Sequence, residues 1–159
     1  AFVFAGDDLD ARARAHTVAE TGAAPDRLAN ARFVGKLDRA ALDRCYLGCD
    51  VVLMLSRFES FGLVAIEAMS AGAPVIALAR GALPEVVEEG RSGWLVDEDA
   101  RFLDRAGGLL RALAADRGEV ARMGRGAYEA YRERYTAGAM ADGLLAFYRD
   151  AFAAQRGPR

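Results

Sequence analysis

The chain has 159 residues, 53% of them apolar and 28% charged, and a net charge of -2. That length supports one domain with a sizeable core, and the charge balance lacks the basic excess of a nucleic-acid binder. No apolar run approaches the ~20 residues of a membrane-spanning helix.

The first element expected is a strand at Phe2-Ala5. The chain enters it without a leading Met, so further sequence is expected upstream. An Ala- and Arg-rich helix follows from Leu9 to about Gly22, and a second strand covers Ala31-Gly35. Arg39-Gly48 has helical spacing, with Ala40, Leu42, Tyr46 and Leu47 on its apolar side. Cys45 and Cys49 stand four apart on that segment. This spacing suits a disulfide poorly, and two thiols do not fill a zinc site. They read as small core-facing residues of a protein in a reducing, cytosolic setting. Val51-Leu55 is the third strand, Gly62-Ala71 a helix apolar nearly all round, and Val75-Ala79 the fourth strand. Leu83-Glu89 is a short helix with Pro84 near its start and Gly90 at its end. Trp94-Val96 is the last strand. Helices are expected near 99–115, 117–134 and 137–154, with Thr136 capping the last. In that last helix Met140, Leu144, Phe147, Tyr148 and Phe152 form one apolar stripe, expected to pack. Residues from Ala154 onward read as a tail.

Strands with continuous rather than alternating apolar residues point to a parallel sheet buried on both faces. With helices between most of them, the fold class is α/β, a Rossmann-like parallel sheet with flanking helices and a helical C-terminal extension. The organisation expected is a Rossmann-like core over 1–98, helices over 99–154 packed on the same domain, and a tail over 155–159.

Two carboxylates stand out. Glu67 lies within Val64-Ala65-Ile66-Glu67-Ala68-Met69, with no Lys or Arg three or four positions away. An unpaired buried carboxylate costs several kcal/mol or shifts its pKa, so a partner has to come from elsewhere. A neighbouring backbone or side-chain donor would serve, and so would the vicinal hydroxyls of a ribose. Glu59 lies in the loop ahead of the same helix, where it can cap the helix or accept from a sugar hydroxyl. That loop follows a strand, on the edge where open α/β sheets bind ligands. The first N–H groups of the helix lack intrahelical partners, and Gly62 permits close approach of a ligand to the backbone.

Glu59 to Glu67 resembles the E-x7-E signature of retaining glycosyltransferases with the GT-B fold, especially glycosyltransferase family 4 (group 1). Four further blocks resemble the same family in the same order. They are the Ala31-Gly35 strand, Asp50-Ser56, Glu67-Ile76 (EAMSAGAPVI) and Gly81-Glu85 (GALPE), followed by Gly90, Gly93 and Leu95-Val96. The resemblance covers most of residues 2–98 and implies the C-terminal, donor-binding part of such an enzyme. In this reading Glu67 takes the donor ribose hydroxyls and Glu59 contacts the donor sugar as the catalytic residue. Backbone N–H groups at Phe61, Gly62 and Leu63 approach the sugar or the diphosphate. Ser56 and Arg57 line the site, and Lys36 and Leu37 lie near the base.

The implied reaction moves a sugar from a UDP-, GDP- or ADP-sugar to a hydroxyl acceptor, in polysaccharide or glycoconjugate biosynthesis. No cofactor and no metal are expected. The implied partner is an N-terminal GT-B domain, together with a strand and a loop bearing an arginine and a lysine ahead of Ala1. This chain alone is expected to bind nucleotide weakly and to lack transferase activity. The expected location is cytoplasmic, peripheral at a membrane through the full-length enzyme. Two departures from the family pattern are Gly6-Asp7-Asp8 in place of GDG and Gly81-Ala82 in place of GG. Without the first strand, the Phe2 and Val51 strands are expected to pair directly, or another segment or chain to fill the gap through a strand swap or a homodimer. The alternatives are a non-catalytic nucleotide-binding or assembly module of a split enzyme, and a nucleotide-sugar epimerase on the same fold.

Overall fold

The structure is a computed structural model and describes residues 1–6 and 30–155. The helix expected over Leu9 to Gly22 and the turn residues Asp7 and Asp8 lie outside the described residues. The chain divides into two compact units, Ala1–Cys45 and Tyr46–Arg159.

In the first unit, β1 (Phe2–Ala5) pairs in parallel with β2 (Ala31–Gly35). Phe2 stands opposite Ala31 and Phe4 opposite Phe33, and the register shifts between Phe4 and Ala5. The Phe4 and Phe33 rings stack with centroids 4.7 Å apart. All four residues of β1 are exposed. A strand of continuous apolar residues was expected to be buried on both faces, and β1 departs from that in a sheet that has two strands among the described residues. Helix α1 (Arg39–Gly48) is capped by Asp38, whose Oδ1 accepts from Ala41 N at 2.7 Å. The boundary between the units falls inside α1, after Cys45. Cys45 and Cys49 are thiols, each half-buried rather than in the core.

The second unit holds a three-stranded parallel sheet in the order β3-β4-β5, made of Val52–Met54, Val75–Leu78 and Gly93–Val96. Val52 faces Val75 and Met54 faces Ala77, while Val75 faces Gly93 and Leu78 faces Val96. The central strand β4 is buried along its whole length, as a continuous VIAL run flanked by two parallel neighbours requires. The hydrogen-bonded partner of β1 is β2, and that of β3 is β4.

Helix α2 (Leu63–Ser70) buries Ala65, Ile66, Ala68 and Met69. Leu63 and Val64, at its amino end, are exposed. The next helix, α3 (Leu83–Val86), ends four residues after it starts, where Val87 turns extended. It was expected to run to Glu89. Helices α4 (Phe102–Ala115) and α5 (Arg117–Arg134) cover the core. Ile76 and Val96 meet Leu113 of α4 and Val120 of α5 there, with Trp94, Phe102 and Leu109 packed around them. Met69, Ile76, Leu83 and Met123 are among the largest fully buried side chains, each contributing about 1.5–3 kcal/mol by burial.

Polar ties fix the ends of α5. Asp116 caps it by accepting from Glu119 N at 3.0 Å, and Arg117 pairs with Asp50 ahead of β3. At the other end Arg134 donates to Glu88 and to the Glu85 carbonyl, while Arg91 joins Glu88 to Glu133. Helix α6 (Ala137–Gln155) starts at Thr136, whose Oγ1 accepts from Ala139 N at 3.1 Å. It buries no residue. Met140, Leu144, Phe147, Tyr148 and Phe152, expected to pack, are all exposed. Among the described residues no helix is long and apolar enough to cross a membrane.

Candidate functional site at the carboxyl edge of the sheet

Because β3, β4 and β5 run parallel, the segments that leave them emerge on one edge. The loop after β3 carries Ser56, Arg57, Phe58 and Glu59, the turn after β4 carries Arg80 and Gly81, and Glu98 follows β5. Arg57, Phe58, Glu59, Ser60 and Gly81 line an open cavity of about 410 Å³. A cavity of similar size, about 420 Å³, opens at the amino ends of β3 and β4, among Cys49, Asp50, Pro74, Arg117 and Tyr128. It holds neither glutamate of the E-x7-E pair.

Glu59 is half-buried and points its carboxylate back at the helix that follows. Its Oε1 accepts from Gly62 N at 3.0 Å and from Phe61 N at 3.3 Å. Two of the N–H groups expected to meet a ligand are therefore donated to Glu59. This is favourable for an anion at a helix amino end, where N–H groups lack intrahelical partners. Gly62, the N-cap, has φ +89°, a left-handed conformation natural to glycine. The main chain of Glu59 is held from the other side by the turn after β4. Ala82 N donates to the Glu59 carbonyl at 3.1 Å, and Gly81 sits at φ +57° with its Cα facing that carbonyl.

Glu67 lies five residues beyond the cap, on α2, and is half-buried rather than buried. The phenol of Tyr46 donates to its Oε2 at 3.2 Å. Tyr46 is 7% exposed and is the buried residue of α1. Local reasoning required a partner for Glu67 from elsewhere, and one donor comes from 21 residues earlier in the chain. In the sequence Tyr46 shows only as one apolar position of an amphipathic helix, and nothing local marks it as a partner of Glu67.

Charge at this edge is organised by Glu98. It pairs with both Arg57 and Arg80, so the carboxylate after β5 ties together the loops after β3 and β4. The hydrogen bond from Arg80 first, and the charge of Arg57 with it, hold the Glu98 carboxyl below its ordinary pKa. The sequence places Arg80 in the loop after the fourth strand without giving it a role, and does not single out Glu98. The parallel topology is what brings them to Arg57. Ser56, Phe61 and Leu63, close to Glu59 in the loop and the start of α2, are exposed. Lys36 and Leu37 follow β2 in the first unit, Lys36 exposed and Leu37 half-buried. Among the described residues no three His, Cys, Asp or Glu side chains are grouped as a metal site requires.

Residues 3–130 match the family described as glycosyl transferases group 1. A D-inositol 3-phosphate glycosyltransferase of Segniliparus rotundus is 44% identical over 112 residues, which is 70% of this chain and 24% of that enzyme. The chain thus spans about a quarter of the length of the curated relatives it matches. The C-terminal domain of a glycosyl transferase group 1 family protein, LpcC of Francisella tularensis, superimposes with a TM-score of 0.64 at 26% identity. The match covers 77% of this chain and 60% of that one. HepE of Anabaena, solved in complex with UDP-glucose, shares the fold with a TM-score of 0.71 at 23% identity, over 93% of this chain and 40% of its own. With the E-x7-E pair on the loop and helix after β3, and with this match over residues 3–130, the chain belongs to the glycosyl transferases group 1 family and corresponds to the C-terminal domain of its GT-B enzymes.

Proposed function

We propose that this chain supplies the nucleotide-sugar side of a retaining glycosyltransferase. The observation that carries the reading is the placement of Glu59 and Glu67. One caps the first turn of α2 and the other stands five residues further along it, at the edge where α/β sheets take ligands. Glu67 accepts from the hydroxyls of the donor ribose, and Glu59 meets the donor sugar. Ser56 and Arg57 line the approach, and the exposed amino end of α2 faces the diphosphate. UDP is the first nucleotide to test, since HepE, of the same fold, was solved with UDP-glucose.

In the transfer, the bond between the anomeric carbon and the diphosphate breaks and the diphosphate leaves with the electron pair. The acceptor hydroxyl oxygen bonds to the same face of that carbon, and its proton passes to the departing diphosphate. The contribution of this chain is positioning and stabilisation of the leaving group rather than covalent chemistry, without a bound metal. Transfer needs the N-terminal domain that full-length enzymes of this family carry, and this chain alone binds donor without turning it over.

Calorimetric titration with UDP-, GDP- and ADP-sugars tests the reading. One nucleotide series binds, and Glu67→Ala weakens it about 10- to 100-fold, the loss expected of hydrogen bonds to a charged group. Equal binding by Glu67→Ala removes the ribose assignment. Donor turnover at an ordinary rate by the 159 residues alone refutes the division of labour.

A further inference from the structure

Tyr46 raises a question that packing does not answer. It is the buried residue of α1, and a phenylalanine there would fill the same space. A buried hydroxyl costs free energy unless it is hydrogen-bonded, and this one is spent on Glu67 Oε2. A carboxylate on a helix surface turns about its last torsion with little preference. A fixed donor on one oxygen removes much of that freedom. An ionised carboxylate offers about four acceptor positions, so a bond from a phenol does not by itself exhaust it.

We infer that Tyr46 is a positioning residue for nucleotide recognition: its hydroxyl holds the Glu67 carboxylate in the orientation that accepts a vicinal diol. The inference rests on the ribose role proposed for Glu67. It adds that the selectivity of the site for ribose over deoxyribose depends on a residue of α1 that itself touches no ligand. A merely structural tyrosine affects folding and affects all nucleotides alike. A positioning tyrosine affects the hydroxyl-bearing ligand selectively.

The test compares UDP with 2′-deoxy-UDP and 3′-deoxy-UDP on the 159-residue chain, its Tyr46→Phe variant and its Glu67→Gln variant, by calorimetry. Thermal unfolding is followed in parallel. The intact chain prefers UDP over each deoxy analogue by about tenfold or more, the worth of a hydrogen bond to a charged group. Tyr46→Phe narrows that preference by about threefold or more and binds the deoxy analogues nearly as the intact chain does. If Glu67→Gln loses the preference while Tyr46→Phe keeps it whole, the inference is overturned and the ribose reading stands. If Glu67→Gln keeps the full preference, or if the intact chain shows none, the ribose reading falls and takes the inference with it. If no UDP, GDP or ADP binds saturably up to about 10 mM, donor binding by this chain is refuted, and both readings with it. A Tyr46→Phe variant weakened equally for all three ligands marks a structural role and overturns the inference.

Discussion

Gly81→Ala is the substitution that most directly probes how the edge of the sheet is held. Gly81 sits at φ +57°, and a Cβ built on it stands 2.5 Å from the carbonyl oxygen of Glu59. Two costs follow. The left-handed conformation costs an alanine about 1–2 kcal/mol. The close approach forces the turn and the Glu59 backbone apart, which breaks the hydrogen bond from Ala82 N to the Glu59 carbonyl and costs about 1 kcal/mol more. The expected loss is about 2–3 kcal/mol in all. Gly90→Ala is the matched control, because Gly90 also has a positive φ, +76°, but its Cβ would meet nothing within 4 Å. It carries the backbone cost alone. Urea midpoints of the two variants isolate the contact with Glu59, and UDP titration shows whether shifting Glu59 weakens the donor site. Equal destabilisation by the two substitutions would refute the reasoning, since it would mean that the carbonyl of Glu59 does not constrain the turn after β4.

Stability against acid should depend on Glu88. The hydrogen bond from Arg91 first, and that from Arg134 with it, hold its carboxyl below the ordinary value of 4.5. A carboxyl lowered on folding contributes stability that is complete above its unfolded value and is lost as pH falls through its folded value. Glu88→Gln should therefore flatten the fall in the urea midpoint below about pH 4.5, with Asp50, lowered by Arg117, supplying part of what slope remains; an unchanged acid limb sinks the assignment. Thr136→Ala removes the acceptor for Ala139 N, worth about 1 kcal/mol of helix stability. Because α6 buries no residue, the effect should show as faster amide exchange in its first turn, with the global midpoint almost unmoved.

The parts of this fold legible in the sequence are those fixed by local pattern. The continuous VIAL run of β4 meant burial on both faces, and β4 has it. The same argument fails for FVFA, because continuous apolarity states a need for cover and does not supply it. In a sheet of two strands among the described residues, Phe2, Val3 and Phe4 stay exposed. The stripe on α6 shows the same limit. Three- and four-residue spacing declares an apolar face but not the surface that meets it. At the site, Glu59 and Glu67 are conspicuous because a carboxylate in an apolar run is costly. Their donors differ in how far they could be foreseen. Those of Glu59 are backbone N–H groups of the helix it precedes, as a capping role implies, whereas a donor to Glu67 is a tyrosine 21 residues away that nothing local announces. Arg80 and Glu98 meet Arg57 only once three parallel strands lie side by side.

Local reasoning left a protein donor and a ligand both open for Glu67, and both glutamates have donors within the chain. That changes what binding has to accomplish. A carboxylate without a partner would be expected to move until a ligand arrives. One anchored by a phenol or by two N–H groups keeps its place. The anchors differ in kind: Glu59 is set by main-chain groups of its own loop and helix, and Glu67 by a side chain from another helix. Side-chain substitution should therefore reach Glu67 through Tyr46, whereas the anchoring of Glu59 yields only to changes in the backbone, such as one at Gly81. In the proposed roles, recognition of the ribose is the tunable half of the site, and placement of the sugar is the half built into the fold.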